Sequence, residues 1–362
     1  MAYNPSQIQS KIPVPSRKFW QSVNIKDEGA DSTGKTECSA KINAAIKKVP
    51  ITGGELIIPK GVYLIDPLTP VLFQSNMHVF FEDGAVFRAK PNNAPRYAVI
   101  ELNDIENIVL EGNGTILGDR DYHTYTPQST AALSTHEWGH CARVYSVRHA
   151  SILGLEFRDG TGDGISISTR PNSGACDDVF VRLIKSINNR RQGVSVGKSS
   201  NVTLQECEFG NINGTDPQSG VDIEPDDGGF TDNVVVEDCY AHDCVGAGFQ
   251  TYRSTRTTSS PITNVMLRRN RSELNAMGFY IQGADNVSIL GNTIIRNRAS
   301  GTAMASRAGP VAFHENTSGY NYTQNGVIER DDFEWTGYKT ALQRDLYIRN
   351  NQTNDIGRNY YI

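Results

Sequence analysis

The sequence predicts an all-β chain, a right-handed parallel β-helix with a short capping helix near its N-terminus. Three observations carry the prediction: two short phrases recurring at a solenoid period, apolar alternation inside each phrase, and Gly- and Asn-rich turns with no helical stretch between them.

The first phrase is Asn or Asp, an aliphatic residue, any residue, then a second aliphatic. It reads Asn107-Ile108-Val109-Leu110, Asp178-Val179-Phe180-Val181 and Asn201-Val202-Thr203-Leu204, then recurs from Asn233, Asn264 and Asn286, with a weaker copy from His149. The second phrase is Gly followed by alternating apolar residues, as in Gly164-Ile165-Ser166-Ile167, Gly193-Val194-Ser195-Val196 and Gly220-Val221-Asp222-Ile223. It returns at Gly248 and Gly278, with a late copy at Gly326. The interval of roughly 22 to 32 residues is that of stacked repeats, each one supersecondary unit. Alternation marks strands with one face buried and one outward. Strands this short, parted by turns, fit coils of a β-helix better than βαβ units or a β-sandwich.

Residues 1–22 read as an extended arm, because Pro13 and Pro15 break regular structure. Ser39 to Lys48 has helical apolar spacing and is stopped by Gly53-Gly54. Strands follow at Glu55–Ile58 and Val62–Ile65. A helix there covers the solenoid's apolar end, which otherwise leaves an open sheet edge. One domain is expected over residues 23–362, with the cap to about residue 65 and coils thereafter. Residues 119–138 exceed an ordinary turn and read as an inserted loop.

Composition agrees. The 362 residues are 38% hydrophobic and include 33 glycines, which suits thin cores with frequent corners. A net charge of −5 argues against nucleic acid as partner. No run approaches the roughly 18 apolar residues of a membrane helix, and no Sec-type signal is visible at the N-terminus. Six cysteines without a paired CxxC predict buried thiols, and neither a disulfide framework nor structural zinc. His136-Glu137-Trp138-Gly139-His140 matches the HExxH string, but that chemistry needs a helix. Gly139 and the alternation from Cys141 to Tyr145 read as strand, so no metal site is assigned.

Aligning the Gly phrases stacks outward residues in columns. One column reads Arg143, Ser166, Ser195, Asp222, Gln250, Tyr280; the next reads Tyr145, Ser168, Gly197, Glu224, Tyr252, Gln282. Aromatic rings stack on sugars and amides bind hydroxyls, so this face reads as a carbohydrate groove. Asp222 and Glu224 are the focal pair. At i and i+2 on a strand their Cα atoms lie about 6.6 Å apart on one side. That spacing suits an inverting glycosidase, with Glu224 as general acid and Asp222 as base, or the two roles exchanged. Mutual repulsion and burial push the two pKa values apart. Asp226 and Asp227 follow at the strand end, in a position to orient water or bind a cation. Arg190 and Arg191 lie one coil earlier, with guanidinium groups suited to a sugar carboxylate. Arg143, Tyr145, Gln250, Tyr252, Tyr280 and Gln282 complete the expected binding set.

The segment Asn24 to Asp31, the helix, and Gly53 to Tyr63 resemble the opening of the pectate-lyase-like β-helix superfamily. The phrases Asn189 to Ser195 and Asn213 to Pro225 resemble bacteriophage tailspike depolymerases and related bacterial β-helix proteins. The resemblance spans nearly the whole chain from about residue 23. It implies a polysaccharide depolymerase that hydrolyses glycosidic bonds without a cofactor, a homotrimer, and a virion-tail or secreted location. A lyase acting on a uronic-acid polymer is the alternative. There Tyr252, Tyr280 and Arg143 take the lead, and Asp222, Glu224 and Asp226 are candidates to hold Ca2+. A glycan-binding spike without activity is the third reading.

Overall fold

The computed structural model describes residues 21–226, 228–253, 260–304, 311–314, 316–319, 333–335, 346–349 and 352–353. The expected N-terminal arm, apart from its last two residues, lies outside these, as do the late Gly phrase at Gly326, the last residues 359–362 and Asp227. The chain divides into two compact units, Met1–Arg190 and Arg191–Ile362.

In both units each full coil gives one strand to each of three parallel sheets. In the second unit one coil comprises Ser219–Ile223, Thr231–Glu237 and Tyr240–His242; the next comprises Ala247–Thr251, Ile262–Arg268 and Arg271–Glu273. The Gly phrases form one sheet and the Asn phrases another. Corresponding residues pair coil to coil: Val202 with Val234, Val234 with Val265, and Val265 with Val287. These columns are buried, which is why each coil repeats aliphatics at the same two positions. Phe249 and Phe279 stack in the interior, with ring centroids 5.1 Å apart.

Both phrases have a backbone cause. The first residue of every Asn phrase is left-handed, with φ between 54° and 58° from Asn107 to Asn286. Asn and Asp tolerate that region best after glycine. Their side chains add a ladder, such as Asn233 Nδ2 donating to Asn201 Oδ1 at 2.6 Å. The Gly phrase answers to close approach between coils. A Cβ on Gly220 would stand 2.6 Å from the carbonyl oxygen of Gly248, and one on Gly193 would stand 2.4 Å from that of Gly220.

The capping helix forms as Ser39–Ile46 and buries Ile42, Ala45 and Ile46. The insert at 119–138 contains a second, four-residue helix, Ala131–Ser134, capped by Thr130. All six cysteines are buried thiols. The HExxH string is not helical. His136 has φ 53°, and Trp138–Tyr145 is a strand. Its two histidines have separate partners: His136 Nδ1 lies 2.8 Å from His123 Nε2, and Asp163 N donates to His140 Nδ1 at 3.0 Å. Among the described residues no helix is long and apolar enough to cross a membrane.

Candidate active site

The second unit brings the expected column together. Ser195 pairs with Asp222, Asp222 with Gln250, and Gln250 with Tyr280. Two residues on, Glu224 N bonds Val196 O, Tyr252 N bonds Ile223 O and Gln282 N bonds Thr251 O, each at 3.0 Å. The second column therefore continues just past the strand ends.

A cleft of about 410 Å3 opens over these coils, lined among others by Asp216, Glu224, Gln250, Tyr252, Met277 and Tyr280. Glu224 is half-buried at its edge. Burial pushes the Glu224 carboxyl up to about 8, with the negative charge of Asp222 adding to the rise and Arg191 opposing it. Asp226 contributes a smaller upward push. A carboxylic acid that keeps its proton at neutral pH is what general-acid catalysis needs.

Asp222 is placed differently from the expectation that both carboxylates open onto the groove. It is 0% exposed, under the cleft rather than on it. Gln192, also fully buried, donates its Nε2 to Asp222 Oδ2, and Arg191 donates to Gln192 Oε1 at 2.8 Å. Neighbouring polar groups of this face also bond one another: Ser219 Oγ donates to Gln250 Oε1 at 2.9 Å, and Tyr280 OH to Gln282 Oε1 at 2.5 Å. An acid in the middle of such a column is covered by the residues above and below it.

Other expected residues are not among those lining the cleft. Arg143, Tyr145 and Arg190 belong to the first unit. Arg143 pairs with Glu101 at 2.9 Å and donates to Trp138 O at 3.1 Å. Tyr145 OH lies 3.3 Å from Ser166 Oγ. Arg190 donates to Thr135 O at 2.9 Å, and its guanidinium carbon sits 4.5 Å from the centre of the Tyr125 ring. It fastens the inserted loop. Asp226 is exposed in a turn closed by Gly229 N donating to its carbonyl at 2.8 Å. Sequence reasoning missed Asp216, Met277 and Gln192. Asp216 sits in the turn before its strand, where alternation gives no signal; Gln192 could have been found as the residue preceding the Gly phrase.

Residues 130–317, just over half of the chain, match the family model described as a right handed beta helix region. The chain belongs to that family, and its coils are those of a right-handed β-helix. In sequence it is 29% identical over 222 residues to the uncharacterized protein YclG of Bacillus subtilis, covering 56% of this chain and 38% of that protein. A segment of 97 residues, 25% of this chain, is 33% identical to iota-carrageenase of Zobellia galactanivorans, of which it covers 19%. The chain thus spans well under half of the curated relatives it matches. In structure it is similar to an exopolygalacturonase from Thermotoga maritima, with a TM-score of 0.62, 14% identity and 93% of each chain covered. It is similar also to the Dettilon tailspike protein, with a TM-score of 0.57, 11% identity, and 87% of this chain and 68% of that one covered. The fold is one shared by polysaccharide-degrading enzymes.

Proposed function

We propose that this protein is a polysaccharide-cleaving glycoside hydrolase, with Glu224 as the general acid. One observation carries the reading: a cleft-lining carboxyl whose burial and acidic neighbour keep it protonated to about pH 8. Glu224 gives its proton to the leaving glycosidic oxygen, while Asp222, directly beneath, holds that proton in place by its charge. Tyr252 and Tyr280 offer ring faces to the sugars, and Gln250 lies beside them. Two carboxylates remain to receive the proton of the attacking water, Asp222 below the cleft and Asp216 on its wall. The base is the one whose Asn variant removes the acidic limb of the kcat/KM profile while binding persists; loss of kcat by itself does not single out Asp222, whose charge also helps to keep the proton on Glu224. The likeness of one segment to a carrageenase supports a glycan substrate.

Hydrolysis is favoured over β-elimination by the state of Tyr280. Burial and the neighbouring Tyr252 hold its phenol above the ordinary range, which disfavours it as a base. A homotrimer on a virion tail, or a secreted enzyme, accompanies this reading as a proposal by likeness to the tailspike. The test is incubation of wild type and Glu224→Gln with capsular and plant polysaccharides, following reducing ends and unsaturated-uronate absorbance. New reducing ends without absorbance, lost in the variant with binding intact, are expected. Absorbance would establish a lyase; binding with no new ends would favour a non-catalytic spike.

A further inference from the structure

The acidic lining of the cleft has a consequence for which glycan enters. Asp216 and Glu224 both line it, and among the described residues its lining includes no Lys, Arg or His. Asp216 lines the wall and is exposed, with Gln218 Nε2 donating to its Oδ1 at 2.8 Å. Burial is the main cause that raises the carboxyl of Glu224; the charge of Asp222 and, more weakly, that of Asp226 add to it, against the opposing guanidinium of Arg191. Arg191 is itself turned to Gln192 Oε1. The remaining lining suits uncharged sugar: two tyrosine rings, the Gln250 amide and the Met277 thioether.

Recognition of a sugar carboxylate or sulfate calls for a guanidinium or ammonium partner in the site. Of the arginines that the sequence offered for that role, Arg143 is paired with Glu101, Arg190 donates to Thr135 O and Arg191 donates to Gln192 Oε1. An anionic sugar entering beside Asp216 meets like charge where it needs the opposite.

We infer that the cleft accepts glycan segments whose sugars carry no carboxylate or sulfate. This rests on the cleft being the substrate site, and it separates this protein's substrate from the acidic polymers named for the exopolygalacturonase and the carrageenase.

The test is binding by the full chain carrying Glu224→Gln, whose neutral amide imitates the protonated acid and whose ligands are not consumed. Matched oligosaccharides are titrated: oligogalacturonate and alginate oligomers against their carboxyl-reduced forms, carrageenan oligomers against desulfated ones, with neutral glucans, xylans and mannans alongside. In each pair that binds, the neutral member is expected to bind at least tenfold tighter at low salt, about 1.4 kcal/mol. The gap should narrow at about 0.3 M salt, where screening shortens the reach of Asp216, and it should narrow again in Asp216→Asn. An anionic member binding tighter than its neutral partner would overturn the inference. The titration does not read turnover, so digestion by wild type tests the hydrolase separately: neutral glycans that bind but yield no new reducing ends would refute the hydrolase and leave the selectivity standing.

A second measurement reads the cleft whatever glycans the panel contains. In Met277→Cys, the introduced thiol reacts with cationic and anionic methanethiosulfonates of similar size, while the six native thiols are buried. Relative to a small free thiol, the cation-to-anion rate ratio should rise roughly tenfold and fall in Asp216→Asn. A ratio equal to that of the free thiol, or below it, overturns the inference.

Discussion

Replacing Glu224 with Gln should stabilise the folded protein at neutral and alkaline pH, and by an amount that grows with pH in a defined window. The folded-state carboxyl is raised from its ordinary 4.5 to about 8. Below pH 4.5 the folded and unfolded chains both hold this proton, and Glu224 contributes its full stability. Between 4.5 and 8 the unfolded chain releases the proton while the folded chain keeps it, so wild-type stability falls with rising pH. Above 8 the folded group ionises and the loss levels off. Each tenfold in proton affinity is about 1.4 kcal/mol, which puts the whole loss near 5 kcal/mol, and at about half that once water reaching the cleft edge screens the pair. The amide in Glu224→Gln does not titrate, so the variant's curve lacks this fall. Urea unfolding of both proteins at pH 4.5, 6 and 8.5 gives the difference directly. It should widen by about 2–5 kcal/mol in favour of the variant. A difference that stays constant across the series would show that Glu224 is not held protonated, and the case for it as acid would go with it. Asp222→Asn should shrink the wild-type fall, since burial and the weaker push of Asp226 would then oppose ionisation without the charge of Asp222.

Three further outcomes are expected. On any glycan that wild type cleaves, kcat/KM should decline as pH rises through about 8, where Glu224 loses its proton, and Glu224→Gln should lower kcat at least a hundredfold; a profile still rising past that pH would oppose the assignment. Tyr252→Ala and Tyr280→Ala should each weaken glycan binding by roughly tenfold in a titration, through lost ring burial, and unchanged affinity in both would place binding elsewhere. Asn292 is buried and bonded to Leu267 O, Asn316 Oδ1 and Asn270 N; Asn292→Leu removes these side-chain bonds, leaves the Asn270 N–H without its acceptor and should cost about 1–3 kcal/mol in urea unfolding.

Register was legible because two local rules announce it. A left-handed position accepts Asn or Asp, and a glycine is needed where coils touch at Gly220 and Gly248. With both marked, period-two alternation placed Ser195, Asp222, Gln250 and Tyr280 in one row, as the pairing has them. The environment of each row member was not legible, because it depends on residues a full coil away. Arg143 was expected to reach substrate but meets Glu101, its partner on the preceding coil. Arg190 was expected to bind a sugar carboxylate; it also donates to Thr135 O and lies over the Tyr125 ring of the inserted loop, whose path no periodicity describes.

From its sequence alone this chain is a parallel β-helix with a polar, acid-bearing strand face, since backbone geometry and side-chain alternation act over a few residues and leave their mark in each repeat. Tertiary structure alone decided which carboxyl is buried and which lines the cleft. Asp222 and Glu224 are two residues apart with similar side chains, yet packing from Gln192 and the neighbouring coils buries the first, while the second reaches the cleft at the strand end. Proton affinity follows the dielectric and charge around a group, and those are set by side chains brought together from different coils.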